Sequence, residues 1–352
     1  MFFKRLTIAS LIFAAAAFAA NGARVAGYFP YWLQYSQFTP DDVRYEFLTE
    51  IRYVAMVPSE AGELALADES DLANFEKLAS LAEKNKVDLI IAIGGAGNEE
   101  SMQGLGASDE ALSGFVKSVK ETLKKYKAAG IEIDWTPEEA GDIETLKKIV
   151  SALASADVKV SANLSNDASK ASSYGREFFD KLSSASIYFT DQMSEENSSV
   201  APNANLKKAK EVIEAYTSAG LAAQKIVPII PMYGKSFYKA KGLGSSHEGV
   251  GSGNEGVLSY KDLMKAFDTP DYKVTFDEGS WSEVAVSASE TIVFNGIPSF
   301  REFAKYVKGA GLGGVALYDL SGDHNEPIVS LLVTVGQVLR PDVNYQPKKK
   351  KK

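Results

Sequence analysis

Between Gly130 and Thr136 the chain reads GIEIDWT, two acids alternating with bulky apolar residues. In an extended strand successive side chains point to opposite faces. Gly130, Glu132, Asp134 and Thr136 then share one face, and Ile131, Ile133 and Trp135 the other. Glu132 and Asp134 would lie about 6–7 Å apart. Burying ionised carboxylates is costly, so two of them on a covered face point to a polar network filling a core or to a coupled acid pair sharing a proton. The next position on that face is Thr136. A threonine hydroxyl cannot protonate a leaving oxygen near neutral pH, whereas a buried carboxylic acid can.

The elements that must position these residues recur with a regular rhythm. Eight β-like segments are expected at Arg24–Trp32, Ile51–Pro58, Val87–Gly94, Gly130–Trp135, Val158–Leu164, Ser186–Met193, Ile226–Tyr233 and Gly313–Leu320. Most are near-continuous apolar runs, as parallel strands covered on both faces require. Helix-compatible stretches fall between them at Asp71–Lys84, Asp109–Ala129, Asp142–Ala154, Ala204–Ala219 and Ser299–Gly309, with Asp71, Asp109 and Ser299 read as caps. Such alternation predicts an α/β fold, a (β/α)8 TIM barrel over about residues 24–340. The Gly/Ser-rich and strand-like interval 235–296 reads as a small α+β insertion between strand 7 and helix 7, at the barrel end where active sites form. Strand parity sends Trp135 outward into the helices.

The 352 residues are 45% apolar and 24% charged, and include no cysteine. Disulfides, thiol nucleophiles and Cys-ligated metals are therefore excluded. Met1 to about Ala20 reads as a cleaved secretory signal, with Lys4 and Arg5 before an apolar run and small residues at Ala17 and Ala19. Secretion or a periplasmic location follows as an expectation, with no membrane span in the mature chain. Formal charge is −8; setting aside Lys4, Arg5 and the five lysines of the basic tail at 341–352 takes the body to −15. That acidity argues against nucleic-acid binding. Gly309, Gly311 and Gly314 match GxGxxG but precede a strand instead of opening a helix, so no phosphate cradle is expected. Gly94, Gly95 and Gly97 lack the GK[ST] of a P-loop and read as tight backbone passage at the barrel rim. His247 and His324 stand alone, and no metal or cofactor is expected.

These segments resemble glycoside hydrolase family 18, the chitinases and chitinase-like lectins. RVAGYFPYW at Arg24–Trp32 is similar to the family's first strand, and IAIGG at Ile91–Gly95 to its SxGG strand with Ala92 for serine. IVPIIPMYGKSF at Ile226–Phe237, GVLSYKDL at Gly256–Leu263 and GLGGVALYDLSGD at Gly311–Asp323 are similar to its later elements. Against the family's DGxDxDxE strand, the four acids fall on Ala129, Glu132, Asp134 and Thr136. The resemblance implies that Asp134 orients an N-acetyl group and that Thr136 stands where the general acid should be. On the sixth strand it implies sugar contacts from Asp191, Gln192 or Met193, without the family's tyrosine. On the eighth it implies stacking on Tyr318, in place of a tryptophan. Tyr28, Trp32 and Tyr233 are further platform candidates, and Gly94 and Gly95 line the site.

Three functions follow in order of preference. The first is a secreted chitinase-like protein that binds N-acetylglucosamine-containing glycans with lost or very weak hydrolysis. The second is an active glycosidase of the chitinase or endo-β-N-acetylglucosaminidase type with a relocated acid, drawn from Glu138 or Glu139 beyond the fourth strand or Glu195 or Glu196 beyond the sixth. The third is a protein-binding scaffold.

Overall fold

The computed structural model of the protein describes residues 22–190 and 199–345. The leader, the lysine run and the segment carrying Asp191, Gln192, Met193, Glu195 and Glu196 lie outside the described residues.

Eight parallel strands close into a barrel: Arg24–Pro30, Glu50–Pro58, Asp88–Gly94, Gly130–Asp134, Val160–Leu164, Ser184–Tyr188, Ile226–Pro231 and Gly314–Tyr318. Each pairs with its neighbours in sequence, and the first also pairs with the eighth, so the barrel has no free edge. After the seventh strand comes the expected insertion. It is a five-stranded antiparallel sheet in the order Val257–Ser259, Tyr233–Tyr238, Glu290–Phe294, Ser282–Val286 and Lys273–Asp277, with the short helix Tyr260–Ala266. No helix among the described residues is long and apolar enough to cross a membrane.

The helix Asp109–Tyr126 shows how local chemistry sets these elements. Ser108 accepts the Ala111 N–H at 3.2 Å, acids Asp109 and Glu110 occupy the first turn, and Lys124 and Lys125 the last. Ala111, Leu112, Phe115 and Val119 form the buried stripe. Lys127, at φ +52°, turns the chain left-handed and ends the helix.

Several expected boundaries move. Ser108, not Asp109, caps that helix, and the helix expected from Ser299 starts at Ile297 with proline in its first turn. Ser299 caps nothing; its N–H is held by Glu283 of the insertion. Asp71 precedes its helix without a capping bond and instead receives the Tyr53 hydroxyl at 2.8 Å. The sixth strand ends at Tyr188 and not at Met193: Tyr188 pairs with Ile229, and the Phe189 N–H closes the ladder on the Ile229 carbonyl at 3.1 Å.

Strand parity divides the core in two. Outward residues such as Val25, Ile51, Tyr53, Ile91, Ile131, Ile133 and Trp135 join the helices in one large apolar layer. The interior is itself split. Ala26, Tyr28, Val54, Ala92, Val227, Ile229 and Ala316 make an apolar half. The second, fourth, fifth and sixth strands bury Glu50, Arg52, Glu132, Ser161, Asn163 and Ser186. The chemistry-bearing residues therefore stand on one side of the barrel, where they can satisfy one another.

Candidate active site

Glu132 lies level with Ala92 and Ser161 in mid-barrel and is fully buried. Its Oε1 accepts the Tyr28 hydroxyl at 2.6 Å. Its Oε2 accepts the Ser186 hydroxyl at 2.7 Å and a bond from Nη1 of Arg52. Arg52 is itself wholly buried; its Nη1 also reaches the Tyr28 hydroxyl at 2.9 Å, and its Nε donates to Glu50 at 2.6 Å. The bonds of Glu132 are those of a polar network, although its charge still acts on Asp134. Both oxygens of Glu132 are committed downward and sideways, and a guanidinium balances its charge. The polar-network alternative describes Glu132; Asp134 stands apart from it.

Asp134 sits one pleat higher, level with Gly94, and is partly exposed at the mouth. Its Oδ1 accepts Nδ2 of Asn163 at 2.6 Å. Burial, and then the charge on Glu132, push its carboxyl up to about 6, against the pull of the Asn163 bond and of Arg52. Gly94 and Gly95, at φ +111° and +90°, press against it. A Cβ on Gly94 would come within 2.8 Å of the Asp134 carbonyl oxygen, and one on Gly95 within 3.7 Å of Oδ2. The Gly95 N–H donates to the Asp134 carbonyl at 2.8 Å, fixing the loop against the strand end.

Beside Asp134 the mouth is floored by tyrosines. The Tyr318 ring lies 5.2 Å from Tyr28 and 5.3 Å from Tyr188, and the Tyr188 and Tyr233 hydroxyls are 2.5 Å apart. Tyr318, Tyr188 and Tyr233 keep exposed surface; Tyr28 is 1% exposed and cannot be a stacking platform. Its hydroxyl serves Glu132 and its ring carries Tyr318 and the Arg52 guanidinium. Trp32 is 40% exposed on the turn Tyr31–Tyr35 after the first strand, its ring edge-on to Tyr31.

Thr136 is exposed just past the fourth strand and, with Glu138, Leu164, Asn166 and Tyr188, lines a groove of about 660 Å³. Glu138 is solvent-exposed, its backbone carbonyl held by Lys170 at 2.9 Å. Glu139 is exposed as the N-cap residue of helix Ala140–Ser155. The sixth-strand candidates Asp191, Gln192, Met193, Glu195 and Glu196 fall outside the described residues. What the sixth strand does place at the mouth is Tyr188, which the reading through Gln192 or Met193 missed. Arg52, Asn163 and Ser186 were missed as well. A signal for two of them was available: in EIRY and VSAN the polar residues alternate with apolar ones at the same inward parity as Glu132 and Asp134.

The site lies at the mouth of a (β/α)8 barrel, where an acid of the fourth strand meets an aromatic floor, and the comparisons give the family. The model of Glycosyl hydrolases family 18 matches residues 24–323, and the chain belongs to that family. It is 24% identical to Probable chitinase 10 of Drosophila melanogaster over 94% of this chain but only 16% of that protein. It is 34% identical to Chitinase 1 of Aphanocladium album over 34% of this chain and 28% of that one. The chain thus spans well under a third of the length of these two relatives. It is also 23% identical to the chitinase-like mite allergen Der f 18.0101 of Dermatophagoides farinae, over 84% of this chain and 70% of the allergen. Among solved structures, catalytic domain 2 of the Ostrinia furnacalis Group II chitinase superposes with TM-score 0.83 at 21% identity, covering 91% of this chain and 97% of that one. A class V chitinase from Nicotiana tobaccum, solved in complex with NAG4, gives TM-score 0.81 at 18% identity over 90% of this chain and 99% of that one.

Proposed function

We propose that the barrel mouth binds a chitin-type glycan containing N-acetylglucosamine and leaves it uncut, in a protein that is secreted or periplasmic. The observation that carries this reading is the pairing of a poised Asp134 with Thr136 at the acid position. Asp134 offers a carboxylate to an amide N–H, and Tyr318 beside it offers a half-exposed ring for a sugar face. Thr136 offers no proton of the acidity a glycosidic oxygen needs. Losing a general acid costs roughly 10²–10⁴ in rate. The supporting relatives include a chitinase-like mite allergen as well as chitinases.

Calorimetry with N-acetylglucosamine oligomers of four or five units should give saturable binding, while product release from the same oligomers stays at background. Turnover within tenfold of an active chitinase would sink the proposal. Tyr318→Ala should weaken oligomer binding by roughly 3- to 10-fold, the worth of one aromatic contact; unchanged affinity in the folded variant would remove Tyr318 from the site.

One observation favours a second reading. Glu138 lines the same groove as Thr136 and Tyr188, so a carboxyl stands on the wall next to the acid position. If Glu138 is a relocated acid, slow hydrolysis will be measurable and Glu138→Gln will abolish it.

A further inference from the structure

The part-exposed Arg24 and the buried Glu50, Arg52 and Glu132 alternate in sign up the barrel interior, and their order sets the surroundings of Asp134. Arg24 Nε lies 3.2 Å from Glu50 Oε2; Glu50 Oε1 accepts Arg52 Nε at 2.6 Å; Arg52 Nη1 bonds Glu132. Two cations and two anions cancel. Asp134 is the fifth charge, one pleat above, and among the described residues its side-chain hydrogen-bond partner is the neutral Asn163.

Without Arg52, the carboxyls of Glu132 and Asp134 would be stacked in a buried site with no cation bound to either, and such pairs relax by sharing a proton. That arrangement would turn Asp134 down toward Glu132 and away from the mouth. Arg52, Tyr28 and Ser186 together bring three donors to the Glu132 oxygens, which favours its ionised form over sharing a proton with Asp134. We propose that Arg52 is the positioning residue of this site: by taking Glu132 as its counter-ion it keeps Asp134 out of a carboxyl pair and makes it the acceptor for the ligand's N-acetyl amide. The assignment rests on the glycan reading above for the identity of the ligand, but not for the ladder itself.

The groups facing Asp134 among the described residues are few. Glu132 lies on its own strand and Arg52 on the second. Tyr28 and Tyr318 face it from the first and eighth, Asn163 from the fifth, and Gly94 and Gly95 offer only backbone from the third. Two of these carry charge and act on Asp134 in opposite senses. Arg52→Met removes the cation, so the Asp134 midpoint should rise from about 6, by about one pH unit. Glu132→Gln removes the like charge and leaves Arg52, so the midpoint should fall, and by more than Arg52→Met raises it.

The test follows the Asp134 side-chain carboxyl by ¹³C NMR in the unliganded protein, beside calorimetry with a chitin-type pentamer across the same pH range. Opposite movements of the midpoint in the two variants, with the pH dependence of pentamer affinity moving likewise, is the expected result. A purely structural Arg52 would move the midpoint in neither folded variant, or in the same direction in both, and either result overturns the assignment. Should Arg52→Met not fold, the double variant Arg52→Met/Glu132→Gln removes both charges. Its midpoint is expected below that of the unaltered protein, since Glu132 acts on Asp134 more strongly than Arg52 does; a midpoint at or above it overturns the assignment. If the carboxyl titrates as expected and no pentamer binds at any pH, the glycan reading falls while the ladder stands.

Discussion

Glu132→Leu should destabilise the protein by about 3–5 kcal/mol, and adding Arg52→Met should recover most of that loss. The single change leaves the fully buried Arg52 guanidinium only Glu50 as counter-ion, which Arg24 already shares, and leaves the hydroxyls of Tyr28 and Ser186 without their acceptor. An uncompensated buried charge is the large part of that penalty; each orphaned hydroxyl adds on the order of 1 kcal/mol. Replacing both ions by apolar groups of similar volume removes the charge and keeps the packing, and such swaps are commonly neutral. Urea unfolding of the two single variants and the double gives the coupling directly, provided the denaturant slope is unchanged. Additive losses would show that the ladder is not energetically coupled.

The second large effect has opposite signs for stability and for binding. In the unfolded chain an aspartate titrates near 3.9, whereas in the folded barrel Asp134 titrates at about 6. Between those values the folded state holds more protons than the unfolded one, so stability falls as pH rises from about 4 through 6. Above that window the whole penalty is present, on the order of 1–3 kcal/mol for a shift of this size at a partly exposed site. Asp134→Asn should therefore stabilise the protein by about that amount at pH 7.5 and have little effect at pH 4, read as the difference between two pH–stability curves. The same change removes a charge-assisted acceptor worth about 1.5–3 kcal/mol to a ligand amide, so oligomer affinity should drop roughly 10- to 100-fold at pH 7.5. The unaltered protein should itself bind more weakly as pH falls below about 6, and the variant should lose that dependence. An Asn variant less stable at pH 7.5, with affinity unchanged, would assign Asp134 a structural role instead.

Much of this architecture was legible in the chain. The eight parallel strands, the insertion after the seventh and the outward course of Trp135 all follow from local pattern, because runs of apolar residues separated by amphipathic helices have few ways to cover both sheet faces. Ends were less legible. The sixth strand stops at Tyr188 because its pairing with Ile229 runs out there, a fact about its neighbour that FTDQM does not carry. Tyr28 looked like a platform by residue type, yet it is buried, its ring packed against Tyr318 and its hydroxyl bonded to Glu132, contacts between strands that residue type does not show.

The deepest division lies in the GIEIDWT strand. Sequence alone determined that Glu132, Asp134 and Thr136 share a face and that this face is inside, because strand parity is a local property of the chain. Only the tertiary structure decided that the two acids are not partners. Arg52 is 80 residues from Glu132, and Asn163 is 29 from Asp134. Which charge meets which is settled by barrel closure and inter-strand register, and those bring together side chains that no local pattern relates.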